Sequence, residues 1–401
     1  MGYLSEYMVA PTTVSQERAR GRTKVLEAKI GLALAATMTF TGSALAGTAT
    51  RAPFGKVADG PVELVTLDDG HGTRARIMTW GATLQALEVP DRDGTPGDIV
   101  LGYNDVDSYV AKSNYFGATV GRYANRIAKG QFTLDGKTYT LPVNNNGQSL
   151  HGGTQGFDKH LWTIVKVESG ATSSVTLAYT SADGEMGYPG KLDATATYAL
   201  DETGVLRVDY RATTDKPTIV NITNHSYFNL GGEASGHTIL DERLTLPAQA
   251  YTPVDAVLIP TGELRKVEGT PFDFHTPRRI GDRVRDGRDE QIHFGQGYDH
   301  NFVLDKGNGP LHLAARVEDP RSGRVMEITT DQPGVQFYSG NFLDGTAVGK
   351  SGHSYRQSDA IALEPQVYPD TPNHPAFGSA RLDPGQTYHS TIVYTFSTLP
   401  K

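Results

Sequence analysis

The chain contains no cysteine. It therefore has no disulfide, no thiolate nucleophile and no cysteine-ligated zinc, although that absence leaves its compartment open. Clustered positive charge is also scarce. The formal net charge is −8, and without a Lys/Arg patch beyond the N-terminus nothing suits a phosphate backbone or an anionic membrane. A neutral small molecule is the easier partner. No G-x-G-x-x-G opens a strand–helix unit, and neither H-E-x-x-H nor G-x-S-x-G occurs. The 12 histidines are scattered, with no pair at the helical spacing of metal ligands. Gly345, Gly349, Lys350 and Ser351 come near a phosphate loop but fall one residue short of G-x-x-x-x-G-K-[ST], in a Gly/Asp-rich loop.

What is present is ordinary globular composition, 38% apolar and 20% charged, which excludes a disordered chain. The 45 glycines and 22 prolines are spread along the sequence, so many turns and many short strands are expected.

The N-terminus reads as a separate element. Arg18, Arg20, Arg22, Lys24 and Lys29 precede an apolar run, Ile30 to Ala46, that ends in Ala44-Leu45-Ala46. A basic segment, a short apolar segment and an A-x-A end make a signal peptide over residues 1–46. Thr37, Thr39, Thr41 and Ser43 make the run too polar for a good membrane span. Export, to the medium or to a periplasm, is the expectation. Residues 47–60 are expected to form a flexible lead-in to one domain over residues 61–401.

From Val62 onward the pattern is β. Phe132 to Leu134, then Asp135-Gly136, then Lys137 to Leu141 predicts a hairpin with a type I′ turn. Leu192, Ala194, Ala196, Tyr198 and Leu200 alternate with polar residues, and the alternation resumes after Gly204 at Leu206, Val208, Tyr210 and Ala212. Such a period of two means strands buried on one side. Further strands are predicted at Val335–Tyr338 and Tyr388–Phe396, with a charged short helix or loop around Arg278–Asp289. With no repeat and no linker after Gly60, the fold class is all-β: one large antiparallel β-sandwich with few short helices.

Five stretches carry polar residues that fit neither alternation nor turns: Gly121 to Ile127, Ser149 to Gly153, Asn221 to Asn229, Tyr298 to Phe302, and Leu363 to Gln366. Each has a plain structural reading. Asn125-Arg126 suits a surface ion pair, His151 a turn, Asn221 and Asn224 two fortuitous N-x-[ST] sequons, and Asp299 a cap. Glu364 is harder to dismiss. Ile361, Ala362 and Leu363 before it suggest a buried strand, where a carboxylate is costly unless paired or used.

Together these stretches closely resemble the aldose 1-epimerases, also called galactose mutarotases. The resemblance runs from about Val62 to Phe396 and includes Trp80-Gly81-Ala82-Thr83, Gly156-Phe157-Asp158-Lys159, Gln332 to Phe337 and Gly340 to Gly345. It implies a galactose-mutarotase-like β-sandwich with a sugar on a concave sheet face. It also implies that Glu364 takes the proton of the anomeric hydroxyl while His225 protonates the ring oxygen. Asn125, Arg126, His151, Tyr227, Asp299 and Gln336 match positions that hold the sugar. Pro365 stands where many relatives carry Thr, and Phe377-Gly378 where Phe-Pro is more usual.

The residue types suit that chemistry independently. Opening a hemiacetal ring removes one proton and delivers another, and a Glu/His pair can exchange those roles, each worth about 10²–10⁴-fold. No redox or displacement step occurs, so no cofactor and no metal is expected. The expected partner is a free aldohexose, glucose or galactose, with no nucleic acid and no membrane once the signal is removed; the chain is expected as a monomer or homodimer. Two other readings remain open: a carbohydrate-binding sandwich without catalysis, and an epimerase acting on a modified or phosphorylated hexose.

Overall fold

The computed structural model describes residues 47–401 except Ser113, Asp305, Lys306 and Asn308. The signal-peptide reading of residues 1–46 lies outside the described residues. None of the described helices is long and apolar enough to cross a membrane.

Three large antiparallel sheets, with five two-stranded ones beside them, make up the fold of the described residues. The largest has nine strands, in the order Thr163–Glu168, Thr172–Ser181, Leu192–Asp201, Leu206–Thr214, Tyr388–Thr398, Arg324–Thr330, His312–Glu318, Arg243–Thr245 and Arg278–Arg279. The expected alternation is realised in it: Leu192, Ala194, Ala196, Tyr198 and Leu200 are buried, and the strand pairs with the next from Leu200↔Leu206 to Leu192↔Thr214. Asp135 and Gly136 both have positive φ, 52° and 76°, as a type I′ turn requires, between the paired strands Gln131–Leu134 and Lys137–Thr140. The near-miss phosphate loop is a hairpin, Asp344–Val348 against Ser354–Arg356.

One expectation fails. Residues 47–60 are no flexible lead-in: Thr48–Val57 pairs along its length with Gly60–Asp68, from Thr48↔Asp68 to Val57↔Gly60. Its side chains are mostly exposed, so hydrophobic periodicity could not announce it. The backbone ladder and the Arg51–Glu63 ion pair at 2.6 Å hold it instead. It begins the second sheet, which continues through Arg74–Met78, Thr83–Pro90 and Pro96–Asp98.

The third sheet positions several of the residues expected at the site. Its six strands run in the order Tyr227–Phe228, Ile361–Gln366, Gly334–Tyr338, Asp299–Leu304, Ala248–Tyr251 and Arg265–Lys266. Register places Asn301 opposite Gln336 and Gln336 opposite Glu364, while Phe302 faces Val335 and Phe337 faces Leu363. Because successive side chains point to opposite faces, one face carries Phe228, Phe302, Val335, Phe337, Ile361 and Leu363. All of these join a single core with residues of the other two sheets, such as Ile77, Tyr198 and Tyr210. The opposite face carries Asp299, Asn301, Gln336, Tyr338 and Glu364. These polar residues therefore obey strand alternation after all. What made them look irregular is that their face is buried as well.

Candidate active site

Glu364 sits in Ile361–Gln366, where every residue is buried, and its own relative exposure is 2%. Pro365 interrupts no pairing with the neighbouring Gly334–Tyr338 strand. In antiparallel strands the N–H and C=O of one residue point the same way and alternate along the chain. The Val367 N–H goes to Asn221 Oδ1 at 3.1 Å, on the side away from that neighbour. The Pro365 nitrogen, two residues earlier, faces the same side.

Three backbone segments fold over this polar face. Thr223–His225 pairs with Ala118–Val120, placing His225 opposite Ala118. Asn224 fastens this strand from within, donating to the Gly117 carbonyl at 3.0 Å and accepting from the Ser226 hydroxyl at 2.6 Å. The second segment brings Asn125 and Arg126, the third His151, and they are tied together: Leu150 pairs with Arg126, and the His151 N–H donates to the Asn125 carbonyl. Asn125 and His151 both take left-handed backbone conformations, with φ of 61° and 50°. Gly152 must be glycine, since at φ +90° a Cβ would stand 2.0 Å from the Gly121 carbonyl oxygen.

Together these parts enclose a cavity of about 230 Å³ lined by Asn125, Arg126, His151, His225, Tyr227, Asp299 and Glu364. That is somewhat below the roughly 300–1,000 Å³ typical of small-molecule sites, a size suited to a compact ligand. His225 Nε2 lies 3.6 Å from Glu364 Oε1. Arg126 reaches Asp299 at 3.7 Å and donates through Nε to Asn145 Oδ1 at 3.2 Å. Gln336 does not line the cavity; it stands behind Asp299 and donates to its Oδ1 at 2.7 Å.

Burial dominates the electrostatics. It pushes the Glu364 carboxyl well above the usual range, reinforced by the Asp299 charge and opposed by Arg126. It pushes the His225 imidazole down to about 4 and raises the Asp299 carboxyl, against the pull of Arg126 and Gln336. His151 is held well below its ordinary value by burial, with His225, Arg126 and Lys159 adding to the effect. Glu364 Oε2 and Gln336 Oε1 are buried without a hydrogen-bond partner among the described residues. Such atoms call for a ligand or water.

His151, His225 and Glu364 lie close enough to suggest metal ligands, with donor atoms within 4.8 Å of one another. The hydrogen bonding argues otherwise. The Asn125 N–H donates to His151 Nδ1 at 3.2 Å, so the neutral ring carries its proton on Nε2 and offers the cavity a donor, not a lone pair.

Sequence reasoning singled out five polar stretches, and the structure sorts their residues. Arg122 is structural, donating to the carbonyls of Pro189 and Gly190 at 2.9 and 2.8 Å. The sequon asparagines Asn221 and Asn224 are fully buried. Asn114, Tyr115, Asn145, Tyr338 and Phe342 also line the cavity, and none was picked out. Tyr338 was legible in principle, two residues after Gln336 on the same strand face. The others reach the cavity from loops, where no periodicity applies.

A two-faced β-sheet that buries an imidazole beside a carboxylate, under loops rich in hydrogen-bonding groups, makes an enclosed polar site for a compact ligand, on a fold of the galactose-mutarotase-like class. Residues 63–395 match the family model described as aldose 1-epimerase. The chain is 49% identical to galactose mutarotase of Bos taurus over 350 residues, covering 87% of this chain and 98% of that one. It is 40% identical to aldose 1-epimerase of Escherichia coli K12, covering 84% and 95%. The crystal structure of galactose 1-epimerase from Lactobacillus acidophilus superposes with a TM-score of 0.77 at 30% identity, over 88% of this chain and 99% of that one. The chain belongs to the aldose 1-epimerase family. It is accordingly an isomerase that interconverts the α and β anomers of hexoses.

Proposed function

We propose that Glu364 and His225 are the acid–base pair of this reaction and that free galactose and glucose are its substrates. The observation that carries the assignment is the 3.6 Å approach of two desolvated titratable groups at the wall of a polar cavity. Burial disfavours charge on both, so the pair holds one exchangeable proton between them. Sugar hydroxyls solvating the carboxylate, helped by Arg126, favour the carboxylate–imidazolium form. Glu364 then takes the O1 proton, the C1–O1 double bond forms as C1–O5 breaks, and His225 protonates O5. Rotation about C1–C2 and the reverse proton transfers give the other anomer, with both residues restored.

Asn125, Arg126, His151, Tyr227 and Asp299 hold the sugar in this reading, with Gln336 fixing Asp299. Two alternatives fare worse. A binding module without catalysis has no use for a carboxyl and an imidazole both stripped of water. A phosphorylated hexose needs spare cations, and among the described cavity residues Arg126 is the one cation, already committed to Asp299 and Asn145. Polarimetry on freshly dissolved α-D-galactose and α-D-glucose tests the proposal; unaccelerated drift to the equilibrium rotation refutes it.

We also propose export, on the basic-then-apolar segment ending at Ala46. A mature protein starting near Gly47 in the medium or periplasm is the expected result. An intact N-terminus in the cytoplasm overturns it.

A further inference from the structure

Tyr115 stands at the mouth of the cavity, half-buried, and its ring packs against both active-site imidazoles. The ring centroids lie 4.7 Å from that of His151 and 5.7 Å from that of His225. The Lys159 ammonium sits 5.3 Å from the ring centre and is itself held by Asp158 at 3.1 Å. The aromatic ring thus has both imidazoles and a cation within contact range, and the cation is attracted by the ring quadrupole.

The backbone shows that this placement is imposed. Tyr115 has φ +62°, a left-handed conformation that a bulky side chain adopts only when its surroundings compel it. The residue before it is anchored by the Tyr103 hydroxyl, which donates to Asn114 Oδ1 at 2.6 Å. The turn after it leads into the strand Ala118–Val120, which pairs with the strand that carries His225. Gly117 N–H donates to the His225 carbonyl at 3.0 Å, and a Cβ on Gly117 would stand 2.0 Å from the Leu84 carbonyl oxygen. Tyr115 and His225 are therefore built on one rigid junction.

We propose that Tyr115 is a positioning residue for the isomerase reaction: its ring, latched by Lys159, seals the imidazole side of the cavity against water. The inference rests on the acid–base assignment of His225 and Glu364. Sealing matters because both groups owe their shared proton to desolvation. The groups facing His225 are His151, Tyr227 and Tyr115, with Glu364 below. Arg126 and Asp299 are the charged groups of the cavity wall, and Lys159 and Asp158 stand behind the Tyr115 ring. Admitting water moves the imidazole up and the carboxyl down toward their ordinary values, which brings the two limbs of the pH profile together.

The test is the pH profile of kcat for Tyr115→Ala, Tyr115→Phe and Lys159→Met, with His225→Asn and Glu364→Gln alongside. Tyr115→Ala is expected to lower kcat by about tenfold and to narrow the bell by about one pH unit in total, with KM changed less than about threefold. Tyr115→Phe, which keeps the ring, restores the width. Lys159→Met narrows the profile to a smaller extent, and it decides the matter if Tyr115→Ala fails to fold. A Tyr115→Ala profile as wide as that of the native enzyme overturns the inference, as does a Tyr115→Phe variant no better than Ala. If the His225 and Glu364 variants are inactive while Tyr115→Ala is normal, only this inference falls. Near-native rates in those two variants defeat the underlying assignment instead.

Discussion

His225 Nε2 and Glu364 Oε1 lie 3.6 Å apart, and neither side chain keeps more than 6% of its exposure to solvent. In the proposed mechanism this pair makes both proton transfers from a site shielded from bulk water. Glu364→Gln and His225→Asn are each expected to reduce the enzyme-dependent mutarotation rate by at least roughly 100-fold. Polarimetry corrected for the spontaneous rate reads this directly. A rate within severalfold of the native enzyme in either variant removes that residue from the chemistry.

On the proposed assignment the same pair sets the pH dependence, the active form holding one proton between the two groups. Burial lowers His225 to about 4 and raises Glu364 well above its ordinary value. Acid therefore adds a second proton only well below neutrality, and alkali removes the shared proton only well above the usual carboxylate range. A plateau in kcat/KM that spans neutrality, with an acid limb below pH 6, is expected in rate–pH measurements. An acid limb at the ordinary histidine value of about 6.5 contradicts the desolvated pair.

Asp299 is gripped from two sides, by Gln336 at 2.7 Å and Arg126 at 3.7 Å. It touches the cavity but neither reacting group in the scheme above, so its loss costs binding more than turnover. A hydrogen bond to a charged group contributes about 1.5–3 kcal/mol. Asp299→Ala should raise KM by at least about tenfold with a smaller fall in kcat. Steady-state kinetics with galactose check the split, and an unchanged KM would show that the sugar does not meet Asp299.

Gly152→Ala places a methyl group 2.0 Å from the Gly121 carbonyl oxygen, at a φ of +90°. The conformation alone costs about 1–3 kcal/mol, and the overlap forces apart the two segments that carry His151 and Asn125. A lowered Tm together with a raised KM is expected from thermal melts and kinetics on one sample. Alanine at exposed Gly94, where a Cβ meets nothing within 4 Å but φ is +82°, serves as the control for conformational strain alone.

Glu242 tests burial away from the active site. Its carboxyl accepts the Leu230 N–H at 2.7 Å, and Oε2 is buried without a partner among the described residues. Burial raises it well above the ordinary value, with the nearby Asp319 charge adding to the effect. A carboxyl whose folded-state value is raised contributes its stability below the unfolded-state value and loses it as pH rises through the folded-state value. Stability should therefore decline from mildly acid to alkaline pH, and Glu242→Gln should flatten part of that slope. Tm against pH for the two proteins is the measurement; parallel curves would rule out the carboxyl.

Much of the architecture was legible locally. The alternation at Leu192–Leu200 and Leu206–Ala212, and the Asp135-Gly136 turn, follow from backbone geometry within a few residues. Thr48–Val57 was not legible, because an exposed edge strand is held by main-chain bonds that leave no hydrophobic trace. Nor were Tyr115 and Asn145, which reach the cavity from loops.

The residue chemistry was thus written in the sequence by itself: a cysteine-free β-protein whose ordered motifs, by resemblance, single out His225 and Glu364. Only the tertiary structure brought those groups together. Cross-strand register set Gln336 beside Glu364, and the pairing of Thr223–His225 with Ala118–Val120 swung an imidazole over them. Burial then altered the proton affinities of both groups. Proximity and desolvation are properties of the packed chain, since residues distant in sequence share no environment until the fold creates one.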